Sequence, residues 1–231
     1  MSVGGAGRNF QDSVAVEVWE DLLACGRRRL FQPGHILMHQ GSTATSVSVL
    51  TEGTVRVRQT DEHGHSLTIK LRGPGEVLGD YGVLLERPRS ATVDAATRCT
   101  CYVVPAAVFR RFARQHELAG TVLRLAVERL EQREELDNTL AHLEPEQRLA
   151  RILAAMAEEV GRPVPEGVRI DLGMPREDLG SMASMSRTLV YDALGHLQND
   201  GLVLTGRQHL VVVDLAGLKA LSRRARRPDR R

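Results

Sequence analysis

Aromatic residues are scarce: one Trp, three Tyr and four Phe in 231 positions, so the cores must be aliphatic. Cysteine is scarce too. Three thiols, an odd number in a chain whose first residues carry no secretory signal, speak against a disulfide framework and for a reducing compartment. A large excess of charge of one sign is missing. Lys and Arg number 31 against 29 Asp and Glu, so any basic surface must be local. No apolar run approaches the roughly 20 residues that span a bilayer. The Met1–Gln11 segment is Gly-rich and polar, without the apolar centre of a signal peptide. The expectation is a cytoplasmic protein with no membrane partner.

Catalytic and metal frames are also wanting. His35 and His39, and Cys99 and Cys101, share parity on strand-like stretches, and His63 and His65 flank a turn glycine, but none sits in a C-x-x-C or H-E-x-x-H frame. Three dispersed cysteines are too few for a four-thiolate iron–sulfur cluster. No Ser-His-Asp grouping or cleft-like pair of carboxylates is evident, which argues against an enzyme.

What the chain does have is a long helical run, from about His116 to Leu143, rich in Leu, Ala, Glu, Arg and Gln. One apolar track passes through Ala119, Leu123, Ala126 and Leu130, and reaches Leu140 across the polar Arg133 and Asp137. A second passes through Leu118, Val122 and Leu125, then Leu136 and Leu143. Two stripes predict two partners, its own domain and a second copy of the chain. An ordinary helix buried on both sides has the same period.

Before this helix, a short helix over Val14–Cys25 is followed by short β-rich runs. Turn residues separate them at Pro33-Gly34, Gly41, Glu52-Gly53, His63-Gly64 and Pro74-Gly75. Such even spacing predicts an antiparallel sandwich, barrel or roll. Thr54 to Arg58 alternates cleanly and turns at Asp61–Gly64 into Leu67–Leu71, a hairpin signal. After the long helix, Pro145 disfavours helix in Glu144, and a new amphipathic helix is predicted over Glu146–Val160. A strand over Val168–Leu172 follows. Then come two short helices with a turn at Ser184-Met185, Ser186 as N-cap of the second and Gly201 as its left-handed stop. Leu202–Thr205 and Leu210–Val213 make a hairpin wing around Gly206-Arg207-Gln208. This is the winged helix-turn-helix pattern, whose second helix enters the major groove.

Gln32–Gly41 (QPGHILMHQG), the glycine turns and the loop Gly75–Val93, with its spacing G-D-(eight residues)-R-S-A, resemble the cyclic-nucleotide-binding domains of the cyclic-AMP receptor protein/FNR (CRP/FNR) superfamily. With the long helix and the helix-turn-helix, the likeness extends over nearly the whole chain. It implies an α+β protein: an antiparallel β-roll, a long dimerisation helix and a C-terminal winged helix-turn-helix. It implies residues 1–11 as a flexible tail, 12–115 as the sensing roll, 116–143 as the dimer helix, 144–222 as the DNA-binding domain and 223–231 as a basic tail. By position, Arg89 would grip a cyclic phosphate with Ser90 beside it, and Asp80, after Gly79, would meet the ribose. A short helix in the loop would add backbone N–H groups. Arg89 pairing with Asp80 or Glu86 in a domain without a ligand is the other arrangement open to it.

Two departures separate this chain from the cyclic-AMP binders. Asp80 replaces their usual Glu. Arg133 and Glu134 stand where the long helix supplies small hydroxyl residues to adenine. The phosphate half of the pocket is matched and the base half is not, which leaves cAMP, cGMP or another anion as the effector. In the second helix, Arg187 matches a guanine-reading arginine, while Thr188 and Asp192 replace Glu and Arg, so the operator should differ from the family's usual one. Tyr191 shares the exposed face, and Arg176, Ser186 and Arg207 fall where phosphates are met. The expected function is a homodimeric transcriptional regulator controlled by a small effector through the long helix. Its partners would be a roughly palindromic duplex and, for an activator, RNA polymerase. The alternatives are an effector-independent regulator of the same fold and a small-molecule-binding module whose helix-turn-helix docks a protein.

Overall fold

The computed structural model describes residues 9–223. The chain forms two compact units, Met1–Glu131 and Gln132–Arg231. Most of both predicted tails lies outside the described residues, as do the side chains of Arg133, Glu177 and residues 135–139. No described helix is long and apolar enough to cross a membrane.

The first unit opens with helix α1 (Val16–Ala24) and continues as eight strands: β1 (Arg27–Phe31), β2 (Ile36–Met38), β3 (Ser46–Glu52), β4 (Val55–Thr60), β5 (Ser66–Arg72), β6 (Glu76–Leu78), β7 (Thr92–Ala95) and β8 (Cys99–Pro105). They form two antiparallel four-stranded sheets, ordered β1-β8-β3-β6 and β2-β7-β4-β5. Strand alternation sends successive side chains of β3 to opposite faces, and both faces are buried from Val47 to Leu50. Val47 and Val49 pack with Trp19, Phe109, Val122 and Leu125 on the helical side. Leu50 packs with Met38, Val55, Val93, Cys99 and Cys101 between the sheets. The cysteines are thus small core residues, and burial pushes the Cys101 thiol up to about 12. Burying each large aliphatic side chain contributes roughly 1.5–3 kcal/mol.

Helix α2 (Asp80–Leu84) sits between β6 and β7, and helices α3 (Ala106–Gln115) and α4 (Ala119–Leu140) follow β8. The predicted run from His116 is shorter at both ends. Glu117 adopts a left-handed conformation, φ 51°, which interrupts the helix before Ala119. The N-terminal tail also begins to pack earlier than predicted. Phe10 is fully buried against Trp19, with ring centroids 6.4 Å apart, and Gln11 N–H donates to Gly75 O at 2.9 Å. An aromatic side chain in a core short of aromatics is anchored by its own burial.

The second unit is built on α5 (Pro145–Val160), whose broad apolar face buries Leu149, Ile152, Leu153, Met156 and Val160. Glu144 and Gln147 form a reciprocal capping box at its start. Helices α6 (Leu179–Ala183), α7 (Arg187–Asn199) and α8 (Leu215–Ser222) join the sheet β11-β12-β10-β9. Its strands are β9 (Arg162–Val164), β10 (Gly167–Asp171), β11 (Val203–Thr205) and β12 (His209–Val212). Strand β9 and helix α8 have no counterpart in the sequence reading. Three residues are too few to show a period, and Pro163 lies within β9.

Candidate effector site and nucleic-acid interface

In the first unit, the predicted effector residues converge around α2. Gly79 turns the chain with φ 81°, and a side chain there would collide with the Arg89 guanidinium. Arg89 is buried and donates from Nη1 to Gly79 O at 2.8 Å and from Nη2 to Ser46 O. Neither Asp80 nor Glu86 pairs with it; Glu86 reaches Arg110 at 3.5 Å instead. Helix α2 is a single turn, so its dipole adds little. Ser90 is exposed, and so is Glu134. The structure brings Gly79, Asp80 and Arg89 together and leaves Ser90 at the surface. The Arg133 side chain falls outside the described residues.

The residue that completes this cluster was missed. Arg129 on α4 reaches the loop, donating to Glu76 Oε2 at 2.5 Å and to Tyr81 Oη at 2.7 Å. Its guanidinium lies 5.8 Å from the Tyr81 ring centroid. Glu76 also accepts from Arg72 at 2.9 Å. Asp80 is 3% exposed; its Oδ2 has no hydrogen-bond partner and lies 4.0 Å from Arg129 Nη1. Burial raises the Asp80 carboxyl to about 6, a rise that Arg129 opposes without cancelling. Burial also pulls Arg89 down. For Arg129 burial acts the same way, but Glu76 and Asp80 outweigh it and the net shift is upward. Arg129 Nε is likewise buried without a partner. The signal lay in the second apolar track, which runs Leu118, Val122, Leu125 and then skips the next inward position, 129.

Helix α4 has two faces. Leu118, at the turn preceding it, and Val122 and Leu125 are buried, while Leu123, Val127 and Leu130 are 65%, 44% and 58% exposed. Ala119 is exposed and Ala126 half-buried, so the outward stripe runs through Val127 rather than Ala126.

In the second unit, α6 ends at Ser184, φ 52°, and Met185 completes the turn. Gly180 allows this tight corner, since a side chain there would meet Met185 O at 2.5 Å. Ser186 caps α7, its hydroxyl accepting from Leu189 N at 3.4 Å. Val190, Ala193, Leu194 and Leu197 are buried, which leaves Arg187, Thr188, Tyr191 and Asp192 exposed. Arg176 is half-buried in the turn before α6, and Arg207 is exposed at the tip of the β11–β12 wing. Leu189, 42% exposed on the first turn of α7, was not anticipated as a surface residue.

Comparison with known proteins agrees with both units. The family described as "Cyclic nucleotide-binding domain" matches residues 28–116, and that described as "Crp-like helix-turn-helix domain" matches 147–221. The chain belongs to the CRP/FNR superfamily of transcriptional regulators. It is 26% identical to the Global nitrogen regulator of Synechococcus elongatus, over 81% of this chain and 86% of that one. It is 27% identical to the cAMP-activated global transcriptional regulator CRP of Escherichia coli, over 76% and 84%. A CRP-family transcriptional regulator from Thermus thermophilus shares the fold, with a TM-score of 0.69 at 23% identity, over 85% of this chain and 97% of that one. The relatives are regulators and not enzymes, and this CRP/FNR member carries a cyclic-nucleotide-binding domain and a DNA-binding helix-turn-helix.

Proposed function

We propose that the protein is a homodimeric DNA-binding regulator whose activity responds to a small anion of the cyclic-nucleotide class in the roll. The observation that carries this is the hydrogen-bond balance around α2, where Arg89 and Arg129 lie beside the buried Asp80 carboxylate. Asp80 Oδ2 and Arg129 Nε are buried without partners. A ligand bringing a negative charge and a hydroxyl donor would satisfy both. The cAMP-activated relative supports a nucleotide effector. The exposed stripe Leu123, Val127 and Leu130 supports pairing of two α4 helices. Control would pass through that helix.

A second reading, an effector-independent regulator, is favoured by one feature. Arg89 and Arg129 are already engaged by Gly79 O, Ser46 O, Glu76 and Tyr81, as in a cluster that fills itself.

The test is calorimetry of the full chain against cAMP, cGMP and inorganic phosphate, paired with duplex-shift assays at several salt concentrations. Effector control requires saturable binding that Arg89→Ala abolishes with the fold retained, and a change in duplex affinity on binding. Salt-dependent duplex binding that no nucleotide alters would establish the second reading.

A further inference from the structure

Helix α7 offers the duplex a carboxylate. Thr188, Asp192 and Gly195, spaced i, i+4 and i+7, are all exposed and lie opposite the buried Val190, Ala193, Leu194 and Leu197. Among the described residues Asp192 has no ion-pair partner. The nearest candidate one turn along, His196, is taken by Glu146 of α5. Gly195 leaves the surface beside Asp192 open: a side chain at 195 would meet nothing within 4 Å. The protein's own packing therefore does not explain the glycine.

A free carboxylate in the centre of a groove-reading face is an electrostatic liability, because a duplex carries a phosphate charge about every 1.7 Å. It is tolerated only where a base edge donates to it. In the major groove the donors are the exocyclic amines of cytosine and adenine. Guanine offers only acceptors, and thymine an acceptor and a methyl group. Adenine places its N7 acceptor beside its amine, so the second carboxylate oxygen would face a lone pair there. Cytosine has no such neighbour.

We propose that Asp192 selects cytosine at one position of each half-site and excludes guanine there. It sets specificity as much by repulsion from wrong sites as by its bond to the right one. The proposal rests on the DNA-binding reading of α7. The expected discrimination at that base is about 5- to 150-fold.

The experiment is selection from randomised duplexes by the full chain, with and without cAMP, for wild type, Asp192→Asn and Asp192→Ala. Asp192 is exposed and has no ion pair among the described residues, so the variants should keep the wild-type circular dichroism. Wild type should enrich one cytosine per half-site. Asp192→Asn should shift that position toward adenine, whose amine and N7 suit an amide. Asp192→Ala should lose the preference there while binding unrelated duplex more tightly. Identical selected sequences from all three proteins would overturn the proposal while leaving DNA binding intact. Failure of the wild type to bind any duplex at low salt would remove the DNA-binding reading itself, and this inference with it.

Discussion

Arg129 and Glu76 meet at 2.5 Å, which ties helix α4 to strand β6 beside helix α2. Glu76 uses its two oxygens separately, one for Arg129 and one for Arg72 at 2.9 Å, and is itself 5% exposed. Replacing it by Gln leaves two largely buried guanidinium groups facing a neutral amide. Breaking such an arrangement from the shared side costs about 3 kcal/mol. Urea unfolding of Glu76→Gln should show a lower midpoint with an unchanged slope. A midpoint within error of wild type would mean that solvent already screens the cluster.

Asp80 gives a stability that depends on pH in an identifiable direction. Its folded value, about 6, lies above the ordinary 3.8 because burial disfavours the ion. The folded state therefore binds the proton more tightly. The stabilisation is fully present below pH 3.8, declines as pH rises toward 6, and is absent above it. Asp80→Asn removes that dependence. The variant should match wild type near pH 4 and exceed it at pH 7.5 by an amount on the order of 3 kcal/mol, about two pKa units at 1.36 kcal/mol each. Urea midpoints of both proteins between pH 4 and 8 test this; a constant difference across the range contradicts it.

These two predictions concern the part of the site that was hardest to read in the sequence. Gly79, Asp80 and Arg89 were picked out by the G-D-(eight residues)-R-S-A spacing on which the CRP/FNR resemblance rests, and the structure brings the three together. Arg129 was not picked out, because a charged residue on an apolar track looks like an interruption. Only the tertiary contact with Glu76 and Tyr81 turns it inward. Ser186 and Gly201 marked the ends of α7 correctly because caps are local chemistry: the Ser186 hydroxyl accepts from Leu189 N, and Gly201 takes φ 71°. Asp94 was illegible for the opposite reason. It is 1% exposed in β7, held by Arg56 and Arg58 from β4, and nothing in a short stretch of strand reveals that a carboxylate will be buried by cross-strand arginines.

The proposed dimer rests on the outward face of α4. Leu123 and Leu130 are more than half exposed in the single chain, two turns apart on one stripe with Val127 between them. Paired α4 helices would bury all three. Leu123→Asp with Leu130→Asp removes no contact within the chain's own core and places two charges in the seam. Wild type should sediment as a dimer. The double variant should sediment as a monomer with unchanged circular dichroism, and bind a two-half-site duplex at least about tenfold more weakly, because the half-sites are then engaged independently. A wild type that sediments as a monomer at micromolar concentration would exclude this seam.

Arg207 and Arg187 should separate the two ways of holding DNA. Arg207 sits at the tip of the β11–β12 wing, where Gly206 N–H closes the turn on His209 O at 2.9 Å. Its side chain is exposed, and a cation on a wing meets phosphates rather than base edges. Arg207→Ala should therefore weaken binding to every duplex alike. It should also reduce the slope of log affinity against log salt by about 0.9, the value for one fewer neutralised phosphate. Arg187, at the first turn of α7, should behave differently. Arg187→Ala should relax selection at a single base pair by about 1–3 kcal/mol and leave the salt slope nearly unchanged. Affinity measured for matched and mismatched duplexes between roughly 50 and 200 mM salt distinguishes the two. The assignment fails if Arg207→Ala alters base preference, or if Arg187→Ala changes only the slope.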